Sequence, residues 1–464
     1  MSYLLPIAYL LALAAPVIGA GLRAGAAETV ITPPLGAPMA GYYTNRAATG
    51  VHDDLHAKAL VLENDGVTVA FVVCDVVSLP REISEQARKI VTGKTGIAED
   101  HVMISANHSH TGPVLLTNPS RYNLNGEMKR IAEQYTAQLP ARIAESVISA
   151  VAKLQPAQMR SAVGHEDSLG FNRRYFMNDG TIGWNPGKLN PNIARPAGPI
   201  DPAVPVIYVE TTPDEQPIAA YVNFAVHQDS TGGLQFSADY SYTLSKVLAA
   251  AKGPGLITLF TIGCAGNVNH IDVTRKEPQT SYGEAARIGG VLAGEVLKTI
   301  QRASVVSDPR IRISREILRL QPPALTRDEI EWAHRMQETA GSAKPAPFLD
   351  LVRAGRDIQI ESRHGEPFEA EVQVVTIGRQ LAIVGLPGEM FVELGLALKQ
   401  DSPFPITIAT ELANGALSYI PNQQAYPQGA YEVAASWLEP GGGEALIRSA
   451  LSQLDKLFVR GANN

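Results

Sequence analysis

The chain has 464 residues, 45% hydrophobic and 18% charged, with a net charge of −7. That length supports one large core or two to three ordinary domains. The mildly acidic balance excludes the basic stripe that a nucleic-acid binder needs, and no biased segment is long enough for extended disorder.

In chain order, the first element is an apolar run, Met1 to Ala20, that ends in small residues. It reads as a secretory signal peptide, with cleavage after Ala20 or near Ala24–Ala27. Its first residues carry no lysine or arginine, so an uncleaved anchor is the alternative; Pro6, Pro16 and Gly19 argue against a spanning helix. The resulting division is a signal peptide over 1–26 and one domain over 27–464, exported to the periplasm or the extracellular space. No later stretch is long and apolar enough to span a bilayer.

Ala27 to Pro34 reads as a short strand ended by prolines. Residues 57–62 and 67–74 read as buried strands parted by Asn64-Asp65-Gly66, a hairpin signal. Helical spacing follows at 84–92 and 128–152, where Pro140 is expected to kink or split the helix. Strands are expected at 205–210, 218–226 and 257–262, and helices at 240–250 and 283–301. Longer strands at 311–320 and 368–377 flank a helix at 327–336, and 337–349 reads as a surface loop. A strand at 381–386, a helix at 390–399, a strand at 405–410 and a helix at 442–456 complete the chain. Interleaving of this kind predicts an α/β fold with mixed β-sheets. The two cysteines, Cys74 and Cys264, end strand-like runs; buried free thiols and one disulfide both fit.

Five polar islands border apolar runs. The first holds His108 and His110, after the strand-like Val102 to Ser105. Such a pair points one way if the strand continues. If the chain turns, the pair sits at a strand end, where α/β proteins place their chemistry. The others are Gly170 to Arg174; Asn223 to Gly232, with His227; Gly263 to His270; and Gly385 to Glu389 with Asn414 to Tyr419 and Gly429 to Glu432. Two histidines and a carboxylate suit catalytic zinc. The residues alone leave a metal hydrolase, a sugar-binding surface and a structural role all open.

In this order, the islands resemble the catalytic domain of the neutral/alkaline non-lysosomal ceramidase family. The resemblance runs from about Ala26 to about Leu457. It also takes in Thr32-Pro33, Gly41-Tyr42, His52 to Leu55 and Ala238 to Tyr240. It implies a secreted or membrane-surface zinc amidase that splits the N-acyl bond of ceramide. Residue by residue, it implies that His108, His227, Glu389 and Tyr419 hold Zn2+, and that His110 moves protons. Arg173 and Tyr431 would hold the scissile amide or its oxyanion. Asn269 stands where the family has a catalytic or substrate-contacting serine in Gly-Asp-Val-Ser-Pro-Asn, here Gly266 to Ile271; its amide is no nucleophile and is expected to orient substrate by hydrogen bonding, and His270 replaces the proline. The family's C-terminal immunoglobulin-like domain has no counterpart. The implied partner is a small-molecule or lipid N-acyl substrate, with peripheral contact to membrane lipid, no nucleic acid and no obligate protein partner. The alternatives are a zinc hydrolase for another N-acyl compound or an ester, and a catalytically silent binding protein of the same fold.

Overall fold

The computed structural model describes residues 21–461, apart from 118, 119, 121, 123 and 340–344. The Met1–Ala20 segment lies outside the described residues.

A nine-stranded sheet dominates the first two thirds of the chain. Its long strands are β1 (Arg23–Val30), β2 (His56–Asn64), β3 (Val67–Cys74), β4 (Val102–Ala106), β5 (Gln155–His165), β6 (Ala203–Thr211), β7 (Pro217–Phe224) and β8 (Ile257–Ile262). Across the sheet they run β8-β7-β6-β5-β1-β2-β3-β4. The β2–β3 hairpin turns at Asp65 and Gly66, with φ of 49° and 79°. Two successive positive φ values match the right-handed twist of the flanking strands, which is why this Asp-Gly pair closes the hairpin. β1 pairs with β2 from Arg23 onward. Residues 23–26 belong to the central sheet, so cleavage near Ala24–Ala27 would remove the first residues of β1.

Residues alternate between two buried faces. Ala57, Ala59 and Val61 of β2 share one cluster with Ile83, Ala87 and Val91 of helix α1 (Arg81–Thr95) and Leu139, Ile143 and Val147 of helix α2 (Gly126–Val151). Leu60 and Leu62 face the other way, onto Val375, Ile383 and Ile408. Helices α3 (Tyr240–Lys252) and α4 (Tyr282–Arg302) cover the β6–β8 end. A second sheet of four strands, β9 (Ile311–Leu320), β10 (Phe368–Ile377), β11 (Leu381–Gly385) and β12 (Ile406–Thr410), lies against the first. After β9 come helices α5 (Arg327–Glu338) and α6 (Phe348–Glu361). Helices α7 (Val392–Asp401) and α8 (Gly442–Arg460) cover the second sheet's outer face. The described residues thus stack as helices, sheet, sheet, helices, and the α/β expectation holds.

Two details differ from the sequence reading, and one open alternative is resolved. Helix α2 runs unbroken through Pro140, whose ring is buried in the core. β5 and α6 had no expected counterpart, and α6 begins inside the stretch read as a loop. Cys74 and Cys264 are both buried and unpaired, so the free-thiol alternative is the one found.

The topology decides where chemistry can occur. β3–β4, β7–β8 and β11–β12 are parallel pairs. Their carboxyl ends lead directly into the polar islands: β4 into His108, β7 into His227, β8 into Gly263 to His270, and β11 into Glu389. Carboxyl ends of parallel strands are where open α/β sheets collect ligands. A bridge between Ser105 and Ala413 joins the edge of the first sheet to the loop after β12. Asn414 seals it, because its Oδ1 accepts from the Ile104 N–H at 2.9 Å while its own N–H donates to the Ile104 carbonyl at 2.7 Å.

Candidate metal centre

The chain turns immediately after β4. His108 adopts φ of 75°, so the histidine pair sits at a strand end. The His108 Nδ1 donates to the Val77 carbonyl at 2.7 Å. The His227 Nδ1 does the same to the Ala265 carbonyl at 2.8 Å. A proton fixed on Nδ1 leaves each Nε2 with a bare lone pair aimed at the site, the usual support for a metal-binding imidazole. Glu389 and Tyr419 arrive together, because they are Cα partners in a short parallel pair, Glu389–Met390 with Tyr419–Ile420.

These groups converge. The Glu389 Oε2 lies 3.4 Å from the His108 Nε2 and 3.3 Å from the His227 Nε2. The Tyr419 hydroxyl is 3.5 Å from the His227 Nε2. The His110 Nε2 lies 3.1 Å from the His108 Nε2. His108, His110 and His227 offer nitrogens within 4.8 Å of one another, a group able to bind a metal ion. His110 differs from the other two in one respect: its Nδ1 is buried with no hydrogen-bond partner.

The electrostatics suit a cation. Burial, joined by the neighbouring His227, pushes His108 down to about 4. Burial and His108 push His110 well down. Both rings are neutral at pH 7, the state that ligates. Burial would raise Glu389, but His108, His227 and Tyr419 outweigh it and hold the carboxyl well below the usual range. Its Oε2 is buried without a hydrogen-bond partner. A buried, ionised oxygen facing two imidazole lone pairs is costly unless something positive joins them. The residues therefore fit a divalent ion with N and O donors. Burial and the Glu389 charge push the Tyr419 phenol well up, against the pull of Arg173.

Arg173 lies beside this group, its carbon 5.3 Å from the Tyr419 ring centre and 5.9 Å from that of Tyr431. Its Nη2 donates to the Gly266 carbonyl at 2.7 Å and its Nε to Glu432 at 2.9 Å. Glu432 also takes Arg174 at 2.9 Å. The Tyr431 ring is 5.3 Å from that of Tyr419 and 4.4 Å from that of Trp184, and Phe348 packs at 5.8 Å.

Asn269 stands further back. Its Nδ2 donates to Asn185 at 3.2 Å and its Oδ1 accepts from the Ile271 N–H at 3.1 Å, so the amide braces the turn after Trp184. Both ring nitrogens of His270 are engaged, with Asp229 at 3.0 Å and the Gln279 carbonyl at 2.6 Å. Glu432, Glu411, Asp229, Trp184 and Phe348 were not singled out from sequence. Glu432 was the most accessible of them, because it directly follows Tyr431.

Two glycines fix the backbone. At Gly41, with φ of +94°, a Cβ would come within 2.6 Å of the His110 Cβ. At Gly266 a Cβ would collide with the Glu389 carbonyl. A cleft of about 1000 Å³ reaches His108 and Glu389. Its lining mixes apolar Ile83, Leu115 and Leu116 with charged Arg81, Glu85 and Glu369.

Fold and site together define an α/β protein with a candidate metal centre at the carboxyl ends of its parallel strands. Residues 23–234 match the family model for neutral/alkaline non-lysosomal ceramidase, N-terminal. The neutral ceramidase of Pseudomonas aeruginosa is 22% identical over 490 aligned positions, covering 91% of this chain and 70% of that protein. Its crystal structure superposes with a TM-score of 0.73 at 18% identity, over 95% of this chain and 75% of that one. A ceramidase complexed with C2 superposes at 0.72, also at 18% identity, over 95% and 76%. The family match thus covers residues 23–234, and the likeness to neutral ceramidases extends over most of the chain.

Proposed function

We propose that the protein is a zinc-dependent amidohydrolase that cleaves the N-acyl bond of ceramide or a close N-acyl relative. The carrying observation is the meeting of His108, His227, Glu389 and Tyr419 at the strand ends, around a buried ionised oxygen that lacks a partner. In this reading those four residues hold the ion and His110 does not, because only His108 and His227 have Nδ1 pinned by a main-chain carbonyl. The ion would supply Lewis acidity to the acyl carbonyl and to the attacking water.

The chain's own groups do the rest. His110, neutral and with a free Nδ1, takes a proton from water and returns it to the leaving nitrogen. Arg173 and Tyr431 donate toward the developing oxyanion. Glu432 and the Gly266 carbonyl hold Arg173 in place for that task. Trp184 and Phe348 pack against the Tyr431 ring and hold it in place. The apolar part of the cleft accepts an acyl chain and its charged part a polar group, which suits an amphiphilic substrate. Among the described residues no helix is long and apolar enough to cross a membrane. Export belongs to the same reading, supported by the apolar Met1–Ala20 run.

The test is release of free amine from a panel of N-acyl substrates, ceramide included, alongside esters, by zinc-loaded protein. Hydrolysis of an N-acyl substrate, lowered on the order of a hundredfold or more in His110→Ala, supports the reading. No hydrolysis of any substrate by fully metallated protein would favour the silent binding module.

A further inference from the structure

One buried carboxyl takes no part in the chemistry above. Glu411 follows β12 and is fully buried. Its Oε2 accepts two main-chain N–H groups, from Met390 at 2.7 Å and from Ala265 at 3.2 Å. Its Oε1 is buried and has no hydrogen-bond partner. A half-satisfied buried carboxyl costs stability relative to an apolar side chain, so packing alone does not account for a glutamate here.

The two N–H groups it takes give the reason. Met390 directly follows Glu389. The Ala265 carbonyl is the acceptor that fixes the His227 Nδ1. A single oxygen therefore ties the strand that carries the Glu389 carboxylate to the loop that orients His227. The neighbouring backbone leaves no slack, since the Gly266 N–H donates to the Met390 carbonyl at 2.7 Å. Glu411 is also absent from the cleft lining, which keeps it away from substrate.

We infer that Glu411 is a positioning residue for the metal centre, clamping Ala265 and Met390 so that His227 and Glu389 meet at ligand distance. The inference rests on the metal reading of that site. Partners that orient metal ligands typically change affinity about 10–100-fold when removed. Glutamine keeps a carbonyl oxygen in the same place, so it should keep the clamp; alanine should not.

Zinc affinity measured by competition against a chromophoric chelator tests this without reference to turnover. Glu411→Ala should bind zinc about 10–100-fold more weakly than wild type, and Glu411→Gln should match wild type. Amide hydrogen exchange on metal-free protein gives an independent reading. The Ala265 and Met390 N–H groups should exchange slowly in wild type and in Glu411→Gln, and fast in Glu411→Ala. Should the alanine variant not fold, the glutamine variant and the wild-type exchange rates still decide. Equal zinc affinity in the alanine variant, a glutamine variant weakened tenfold, or fast exchange of both amides in wild type would each overturn the clamp. A wild-type protein that binds no zinc would instead overturn the proposed function, and the exchange rates would then judge the clamp alone.

Discussion

Replacing Glu432 by alanine should be one of the most damaging single changes in the molecule. Its carboxylate is fully buried and neutralises two guanidinium groups that are themselves buried, Arg173 and Arg174, each at 2.9 Å. Removing one partner of a buried ion pair costs about 3–5 kcal/mol, because the other charge is left uncompensated. Here two charges are left, which would argue for more. Both arginines retain neutral acceptors, however: Gly266 for Arg173, and Gly429 and Gln428 for Arg174. Those carbonyls offset part of the second charge, so the expected loss stays near the upper end of about 3–5 kcal/mol. Equilibrium urea unfolding measures it, with Glu127→Ala as control, since the Glu127–Arg130 pair is exposed and its removal should leave the midpoint unmoved. Combining Arg173→Ala with Glu432→Ala should cost less than the two single losses added, because the groups are in contact. A Glu432→Ala protein within about 1 kcal/mol of wild type would refute the reasoning.

Three further outcomes are expected. Glu371 is buried against Arg88 and Arg315; burial raises its carboxyl, but the two arginines outweigh burial and hold it below the ordinary value. A depressed folded-state pKa contributes stability above the unfolded value of about 4.3, and that stability is lost as pH falls through the folded value. The stability gap between wild type and Glu371→Gln should thus be constant near neutrality and shrink in acid; a gap independent of pH counts against it. Gly41→Ala should displace His110, lowering turnover while zinc content is kept; unaltered turnover would show that the contact relaxes freely. N-terminal sequencing of protein from its native host should find Gly21 or Leu22 first, since β1 begins at Arg23; an intact Met1 would contradict export.

Elements with strong local signals were legible in the sequence. The Asp65-Gly66 hairpin and the strands at 311–320 and 368–377 come from turn chemistry and apolar runs, which depend little on the rest of the chain. β5 was missed because its buried positions, Ala157, Met159 and Ser161, include a small and a polar residue and so give a weak apolar alternation, and α6 because it starts beside a proline-rich stretch. The donor set was nameable only through the resemblance, since His108, His227, Glu389 and Tyr419 span more than 300 positions of sequence. What brings them together is the parallel pairing of Glu389 with Tyr419 and the Ser105–Ala413 bridge between sheets. Neither leaves a local trace. Glu411 was hidden for a related reason: an acidic residue in sequence looks like surface, and only the fold shows that it is buried against groups from distant islands.

The central claim is that the converging residues hold zinc. Elemental analysis of purified wild type and of His227→Ala, each checked for native secondary structure by circular dichroism, tests it most directly. The account predicts about one zinc per wild-type chain and loss of most of it in a folded His227→Ala protein; stoichiometric zinc retained by His227→Ala would contradict the account.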